Sequence, residues 1–365
     1  MVVDDVERAA EFRLWLAGGV GPERRRALLE RFGSAAAVFN ASRGQLGEVR
    51  GLPDDVVDAL LDPKLIDKAA MERERMQQLG VRWVSIEDDD FPPLLKEIAR
   101  PPIALTVQGE ISADEVCVAI VGSRKCTPYG REVAAKLAVD LARAGVTIVS
   151  GLARGLDATA HETTLEAGGR TIAVLASGLA NVYPPEHHDL ALAVAKQGAV
   201  VSEAHLDGAP IGNLFPLRNR IISGLSRGVV VVEAAEKSGA LSTAFHAIDQ
   251  NREVFAVPGR LGDPASAGTN ELLRKGATLI RSVEDVLEAI GPIAGKATPS
   301  MKREAAKAKE APSHVTTPPP GMNEIEAAIW QALGLDGLDA DTLGERVSLP
   351  VQSLASILFM MQVAA

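Results

Sequence analysis

The residues most suited to binding chemistry are three arginines in the segment FPLRNRIISGLSRGVVVVEA, residues 215–234. Arg218, Arg220 and Arg227 lie in a stretch without acidic residues from 208 to 232, although the whole chain carries a formal net charge of −10. Guanidinium groups bind phosphate oxygens through charge-assisted hydrogen bonds. An Arg-Asn-Arg triplet beside an apolar strand therefore indicates a site for phosphate groups.

Glycine, serine and basic residues recur after other apolar segments. GSRK (122–125) follows one of them, SGLARGLD (150–157) follows the next, and EAAEKSGALSTA (233–244) follows a later one. Ligands of open parallel sheets bind at the carboxyl ends of the strands, where helix N-termini direct amides and a positive dipole end at an anion. We therefore expect one basic edge. It carries Arg124, Arg154, Arg218 and Arg220.

A structural role for each arginine is the competing interpretation, for example an ion pair between Arg154 and Asp157. Neither a GxGxxG fingerprint nor a GxxxxGK[ST] loop is present, so ordinary NAD or ATP binding is not expected. The six histidines show no ligand spacing with cysteines or acids. The sequence thus predicts no metal site and no cofactor.

The elements that would position these residues are short apolar strands alternating with helix-length segments. Continuously apolar strands are typical of sheets covered on both faces. The pattern predicts an α/β fold with an extended, doubly wound, mostly parallel Rossmann-like sheet of about seven strands. The predicted strands span residues 116–123, 146–151, 170–178, 199–203, 228–234, 253–259 and 277–280, and RWVSI and IALTVQG could add two more.

Composition divides the chain into four parts. Residues 1–80 read as an N-terminal helical domain, in which a helix, the turn GVGP and a second helix resemble a helix-hairpin-helix or an ordinary helical hairpin. Residues 81–291 form the Rossmann-like domain. Residues 292–322 are a predicted flexible linker, and 323–365 predict a small helix-turn-helix that is winged-helix-like but apparently lacks its wing.

No apolar run reaches the roughly 20 residues that span a bilayer, and the acidic start lacks a signal-peptide pattern. We therefore expect a cytoplasmic protein without a membrane partner. The acidic balance argues against a chain that coats nucleic acid indiscriminately. It leaves room for a local basic site, since salt screens charges farther apart than roughly 8 Å.

Six segments resemble the DNA-processing protein A family (DprA, also called Smf). They are AIVGSRKCTPYGRE, VSGLARGLDATAH, GLANVYPPEH, FPLRNRIISGLSRGVVVVEA, SGALSTA and REVFAVPG, within roughly residues 82–290. The resemblance implies a sterile-alpha-motif-like N-terminal region and a non-enzymatic protein that binds single-stranded DNA. It also implies a homodimer formed through the Rossmann-like domain, and a role in protecting incoming DNA and loading the RecA recombinase during natural transformation.

The resemblance also implies the binding residues. Gly122, Ser123 and Arg124 would contact phosphate, and Arg218, Asn219 and Arg220 would line the same groove. Phe215 would either stack a base or plug the core. The full predicted set is Gly122, Ser123, Arg124, Lys125, Gly151, Arg154, Gly155, Phe215, Arg218, Asn219, Arg220, Lys237, Ser238 and Gly239.

One departure from the family pattern concerns the residues just before Phe215. Relatives often have a basic residue or histidine there, whereas Gly212, Asn213 and Leu214 are neutral in this chain. We expect this difference to lower affinity or salt sensitivity. The missing wing likewise puts duplex binding by the C-terminal segment in doubt.

An enzyme acting on a nucleotide, such as a phosphoribohydrolase-like Rossmann protein, is the alternative function. Glu203 and Glu233 would then be the acid and base, with PG (258–259) and GT (268–269) as the phosphate loop. An eight-residue gap between PG and GT argues against it. An adaptor whose linker and C-terminal helices hold the partners is a third possibility.

Overall fold

The computed structural model describes residues 5–291 and five single residues further along the chain. The chain divides into two compact units, residues 1–297 and 298–365. In the second unit the described residues are all helical, with at least one in each predicted C-terminal helix: Ile325, Ala327, Ile329, Val347 and Ile357. The predicted linker, the rest of the helix-turn-helix and the question of its wing lie outside the described residues.

The N-terminal part is helical, as predicted. It consists of α1 (Asp5–Ala17), α2 (Pro22–Phe32), α3 (Ala35–Val38), α4 (Arg43–Gly47), α5 (Asp54–Leu61) and α6 (Leu65–Gln78). Gly18 and Gly19 turn the chain between α1 and α2 with φ values of +74° and +68°, which suit glycine. Pro22 lies in the first turn of α2, and Gly33 ends that helix with φ +85°.

Nine strands form one sheet. They are β1 (Val81–Ser85), β2 (Ala104–Gly109), β3 (Cys117–Val121), β4 (Thr147–Ser150), β5 (Thr171–Leu175), β6 (Ala199–Ser202), β7 (Gly228–Val231), β8 (Glu253–Ala256) and β9 (Thr278–Leu279). The strand order is β1-β2-β6-β5-β4-β3-β7-β8-β9. β3 to β9 pair in parallel, while β1 and β2 add an antiparallel extension beside β6. The predicted mostly parallel sheet is confirmed, and both additional strands exist.

The remaining helices cover both faces of this sheet. They are α7 (Pro93–Lys96), α8 (Pro128–Arg143), α9 (Leu156–Glu166), α10 (His188–Gln197), α11 (Leu214–Gly224), α12 (Ala240–Asp249), α13 (Ala267–Arg274) and α14 (Val283–Ile290). Along β3, Val118 and Ile120 pack into a core with α8 and α14, whereas Ala119 and Val121 pack into a core with α11 and α12. Burial on both faces explains why the strand is continuously apolar.

The N-terminal helices pack directly on the sheet. Phe12 and Trp15 of α1 share an apolar core with Ala173 and Leu175 of β5. The indole Nε1 of Trp15 donates to the carbonyl of Glu203, 3.2 Å away, immediately after β6. The change from helices to strands falls between α6 and β1, near the predicted domain boundary. The helical part nevertheless belongs to the same compact unit as the sheet.

No helix within the described part of the chain is long and apolar enough to cross a membrane.

Candidate functional site

The turns after β3 and β4 meet at the carboxyl edge of the sheet. The N–H of Leu156 donates to the carbonyl of Ser123 over 3.2 Å. Gly155 has a φ of +77°, and a Cβ on it would lie 2.8 Å from the backbone of Arg124. Gly122 is equally confined, because a Cβ there would come within 2.9 Å of the Glu233 carbonyl. The structure therefore brings the predicted segments 122–125 and 151–155 into contact.

Two adjacent aromatic rings, flanked by an arginine on each side, lie along this edge. The Arg124 guanidinium lies 5.3 Å from the ring centroid of Phe215, and the Phe215 and Tyr183 rings meet edge to face at 5.6 Å. The Arg154 guanidinium lies 5.9 Å from the Tyr183 ring. We call Arg124, Phe215, Tyr183 and Arg154 the cation–aromatic row. Its rings and guanidinium groups present flat faces that suit bases and charges that suit phosphates.

Tyr183 is the member of the row that was not predicted. It follows β5 in the GLANVYPPEH segment and precedes a cis peptide bond to Pro184. An aromatic residue after a strand end, in a chain with only 4% aromatic residues, was the available signal.

The two ends of the row differ in their acidic neighbours. Arg154 forms an exposed ion pair with Glu186 at 2.5 Å, and the hydrogen bond to this carboxylate raises the pKa of Arg154. The suggested partner Asp157 is not the one it contacts. Arg124 is exposed and, within residues 5–291, forms no ion pair. Arg124 is therefore the member with an uncompensated charge.

Arg218 does not reach this surface, which corrects its predicted phosphate contact. The residue is 6% exposed, and its Nη1 donates to the Gly151 carbonyl at 2.9 Å and to the Val174 carbonyl. Burial lowers the pKa of Arg218 to about 10. Its hydrogen bonds join α11 to the ends of β4 and β5. Arg218 is therefore a structural support beneath the edge.

Gly151 lies between Arg218 and a buried carboxylate. A Cβ on Gly151 would come within 2.7 Å of Arg218 Nη2 and 2.8 Å of Asp157 Oδ2. Asp157 accepts hydrogen bonds from the N–H groups of Gly151 and Ala153 at 3.1 and 3.3 Å. Burial raises the pKa of Asp157, and the nearby Arg218 charge opposes that rise. Gly151 thus allows a close approach of two buried, opposite charges rather than of an outside ligand.

The side chains of Arg220 and Asn219 also form hydrogen bonds within the fold. Arg220 donates from Nη2 to both carboxylate oxygens of Glu203 at 2.7 and 2.9 Å, and its side chain is only 11% exposed. Asn219 Nδ2 donates to the Gly239 carbonyl at 3.3 Å, which ties α11 to the loop after β7. An Arg220→Glu substitution would place two carboxylates together. We therefore expect this substitution to destabilise the fold.

The loop after β7 presents one further cation. Lys237 is exposed and forms no ion pair with an acid in the described region. Ser238 closes the turn, since its N–H donates to the Ala235 carbonyl at 2.9 Å and its hydroxyl accepts from the Ala240 N–H at 3.3 Å. Ser238 and Gly239 therefore shape the turn that displays Lys237.

Glu233 corrects the expectation that the N-terminus of α8 receives an outside anion. Its buried carboxylate accepts from the Thr127 N–H at 2.9 Å and from the Thr127 hydroxyl. A Cβ on Gly130, in the first turn, would collide with this carboxylate. The positive end of the helix dipole thus already faces an internal anion.

The groups assigned to the enzymatic alternative are used within the fold. Glu233 accepts hydrogen bonds from Thr127, the N-cap residue of α8, and Glu203 accepts from Arg220. The Gly259 N–H donates to the side chain of Asn270 at 3.2 Å, and the Gly268 N–H donates to the Ala234 carbonyl at 2.8 Å. The Gly259 and Gly268 amides, which were expected to belong to a phosphate loop, are therefore already hydrogen-bonded within the fold. No cluster of three or more potential metal ligands occurs in the described part of the chain.

The fold defines a Rossmann-like α/β protein whose carboxyl edge displays cations and aromatic rings. The chain belongs to the DNA recombination-mediator protein A family, whose model matches residues 82–291. It is 43% identical over 228 residues to the DNA processing protein DprA of Bacillus subtilis, covering 62% of this chain and 75% of that protein. It is 34% identical over 347 residues to a putative DprA of Mycobacterium tuberculosis, covering 90% and 87%.

Solved structures agree with this assignment. DprA from Streptococcus pneumoniae superposes with a TM-score of 0.60 at 32% identity, covering 77% of this chain and 97% of that one. DprA from Helicobacter pylori gives a TM-score of 0.52 at 33% identity, covering 57% and 95%; that structure concerns its single-stranded DNA binding mode. The chain is thus a DNA-processing protein of the DprA/Smf family.

Proposed function

We propose that this protein binds single-stranded DNA along the carboxyl edge of its sheet, with little base specificity. The observation that carries the proposal is the cation–aromatic row, in which the exposed Arg124 lies beside the Phe215 ring. The H. pylori relative, described as a single-stranded DNA binder, supports the same class of ligand. Contacts to phosphates position a strand without reading its sequence.

The exposed cations supply the phosphate contacts in this proposal. Arg124, Lys125 and Lys237 are exposed. Arg154 would exchange Glu186 for a phosphate, which costs little because exposed ion pairs contribute little to stability. Gly122, Ser123 and Gly155 hold the turn that carries Arg124, and the buried Arg218 fixes the strand ends below it.

The two rings supply base contacts. Stacking on one aromatic side chain contributes about 1–3 kcal/mol per base and tolerates every base. Phe215 and Tyr183 are each partly exposed and touch edge to face. Two neighbouring bases could therefore stack on adjacent rings while the flanking phosphates meet Arg124 and Arg154.

We further infer that the protein acts by binding rather than by catalysis, protecting incoming DNA and loading the RecA recombinase during natural transformation. Family membership supports this role. The carboxylates of Glu203 and Glu233 are hydrogen-bonded within the fold, which argues against a role in acid–base chemistry. A homodimer formed through the Rossmann-like domain, located in the cytoplasm, is part of the same proposal. The neutral residues 212–214 lower the predicted affinity.

A salt titration of binding to a labelled single-stranded oligonucleotide tests the proposal. We expect tight binding whose log K falls with log salt by about 0.7 for each phosphate neutralised. Unlabelled single strands should compete, whereas a mononucleotide should not. Duplex DNA should compete weakly, because paired bases cannot stack on Phe215 and Tyr183. Failure to bind single strands, together with binding or hydrolysis of a nucleoside monophosphate, would contradict the proposal and favour the enzymatic alternative.

A further inference from the structure

A cavity opens at the carboxyl edge of the sheet, beside the N-terminal helices. It has a volume of about 460 Å³ and lies between the turn that joins α1 to α2, the segment before β2, and the end of β6. Its polar lining includes Arg24, Arg100, Glu203 and His205. The proposed function leaves this cavity unused.

Strand register explains why Arg100 faces this edge. β2 runs antiparallel to β6, with Thr106 opposite Ser202. The start of β2 therefore lies level with the carboxyl end of β6, and the segment that precedes it, including Arg100, extends beyond the same edge. The antiparallel extension thus adds a cation to the side of the sheet that carries Arg124.

The lining of this cavity contains two arginines, Arg24 and Arg100, and two glutamates, Glu23 and Glu203. Arg24 donates to the carbonyls of Gly51 and Gly19 at 2.9 and 2.6 Å. Neither Arg24 nor the exposed Arg100 forms an ion pair within residues 5–291. The charge of Glu203 is offset by Arg220. Glu23 is then the one remaining acid among the lining residues.

Glu203 connects this cavity to the region around the cation–aromatic row. It also lines a smaller cavity of about 220 Å³ between the ends of β5 and β6 and the start of α11, where Leu214 and Leu217 lie. Leu214 immediately precedes Phe215. Glu203 therefore lies on the wall of both cavities, the smaller one at the start of α11 and the larger one at the α1–α2 turn.

We propose that a bound single strand continues from Phe215 past Glu203 into the larger cavity, so that Arg24 and Arg100 contact the phosphates of its distal part. The inference rests on the proposed function and extends it. The N-terminal helices become part of the DNA site, and the site becomes longer than the cation–aromatic row. Arg24 also stabilises the turn through its carbonyl bonds, so Arg100 is the residue to test.

The test compares Arg100→Glu with wild type on oligonucleotides of about 6 and about 25 nucleotides, lengths near the lower end of and above the common single-strand site sizes of roughly 4–16 nucleotides. We expect about a 5- to 10-fold loss of affinity for the long oligonucleotide, a smaller salt slope, and less than about a twofold change for the short one. Arg124→Glu should weaken both. Lys196→Glu is the matched control, because Lys196 is exposed at the end of α10, near the amino edge of the sheet.

The outcomes separate the extension from the proposed function. Equal affinities of Arg100→Glu and wild type for the long oligonucleotide would overturn the extension, as would an equal loss for both lengths. Either result leaves single-strand binding at the row in place. Wild-type protein that binds neither length would instead overturn the proposed function. A melting temperature unchanged by Arg100→Glu would show that the fold is intact.

Discussion

Replacing Arg218 with methionine is expected to lower the free energy of unfolding by about 3 kcal/mol, because one partner of a buried charge arrangement is removed. The substitution leaves the Gly151 and Val174 carbonyls without their donor and leaves the Asp157 carboxylate buried without a nearby cation. Methionine fills most of the volume, so the loss reflects polar contacts rather than a cavity. Urea denaturation followed by circular dichroism measures it.

A double variant distinguishes the charge effect from packing. Arg218→Met combined with Asp157→Asn removes both charges while an amide oxygen can still accept from the Gly151 and Ala153 N–H groups. We expect the double variant to be more stable than Arg218→Met alone. If Arg218→Met instead matched wild-type stability but lost DNA binding, Arg218 would be a strand contact, as the sequence pattern indicated.

Arg124→Glu should have the largest effect on binding. In the proposed site the exposed guanidinium contacts a phosphate, and it lies 5.3 Å from the Phe215 ring centroid; a carboxylate there would repel the phosphates. We expect about a 10- to 100-fold loss of affinity for single strands at low salt, and a log–log salt slope smaller by about 0.7. Fluorescence anisotropy over a salt series measures both quantities.

Two controls define what Arg124→Glu shows. Arg124→Lys keeps the charge but loses the planar guanidinium that lies over the Phe215 ring, so its affinity should lie between those of wild type and Arg124→Glu. Unfolding free energies of both variants should stay within about 0.5 kcal/mol of wild type, as is usual for exposed positions. Wild-type affinity in Arg124→Glu would remove the row from the DNA site.

The fold was predictable because its signals are local. Runs such as Cys117–Val121 are apolar at every position, since helices cover both faces of the sheet. Proline at the start of α2 and glycine after its end set the helix limits. The position of the N-terminal helices on the sheet was not predictable, because it depends on Phe12 and Trp15 meeting residues of β5 and β6 far along the chain.

The site was predicted only in part, for a similar reason. The sequence pattern predicted which edge of the sheet carries the site and which cations belong to it. It could not predict which of these cations have buried side chains. Arg218 finds its acceptors 67 and 44 residues earlier in the chain, and Glu233 reaches Thr127 across 106 residues. Tyr183 contributes through its contact with Phe215, which depends on the tertiary fold.

Photocrosslinking with a 5-iodouracil oligonucleotide, followed by mass spectrometry of the modified peptides, tests most directly whether the strand lies on the cation–aromatic row. We predict adducts on the peptides that contain Phe215 and Tyr183, with yields that fall in Arg124→Glu and persist in Lys196→Glu. Adducts confined to other surfaces, such as the amino edge near Lys196, with neither ring modified, would contradict the placement of single-stranded DNA on this edge.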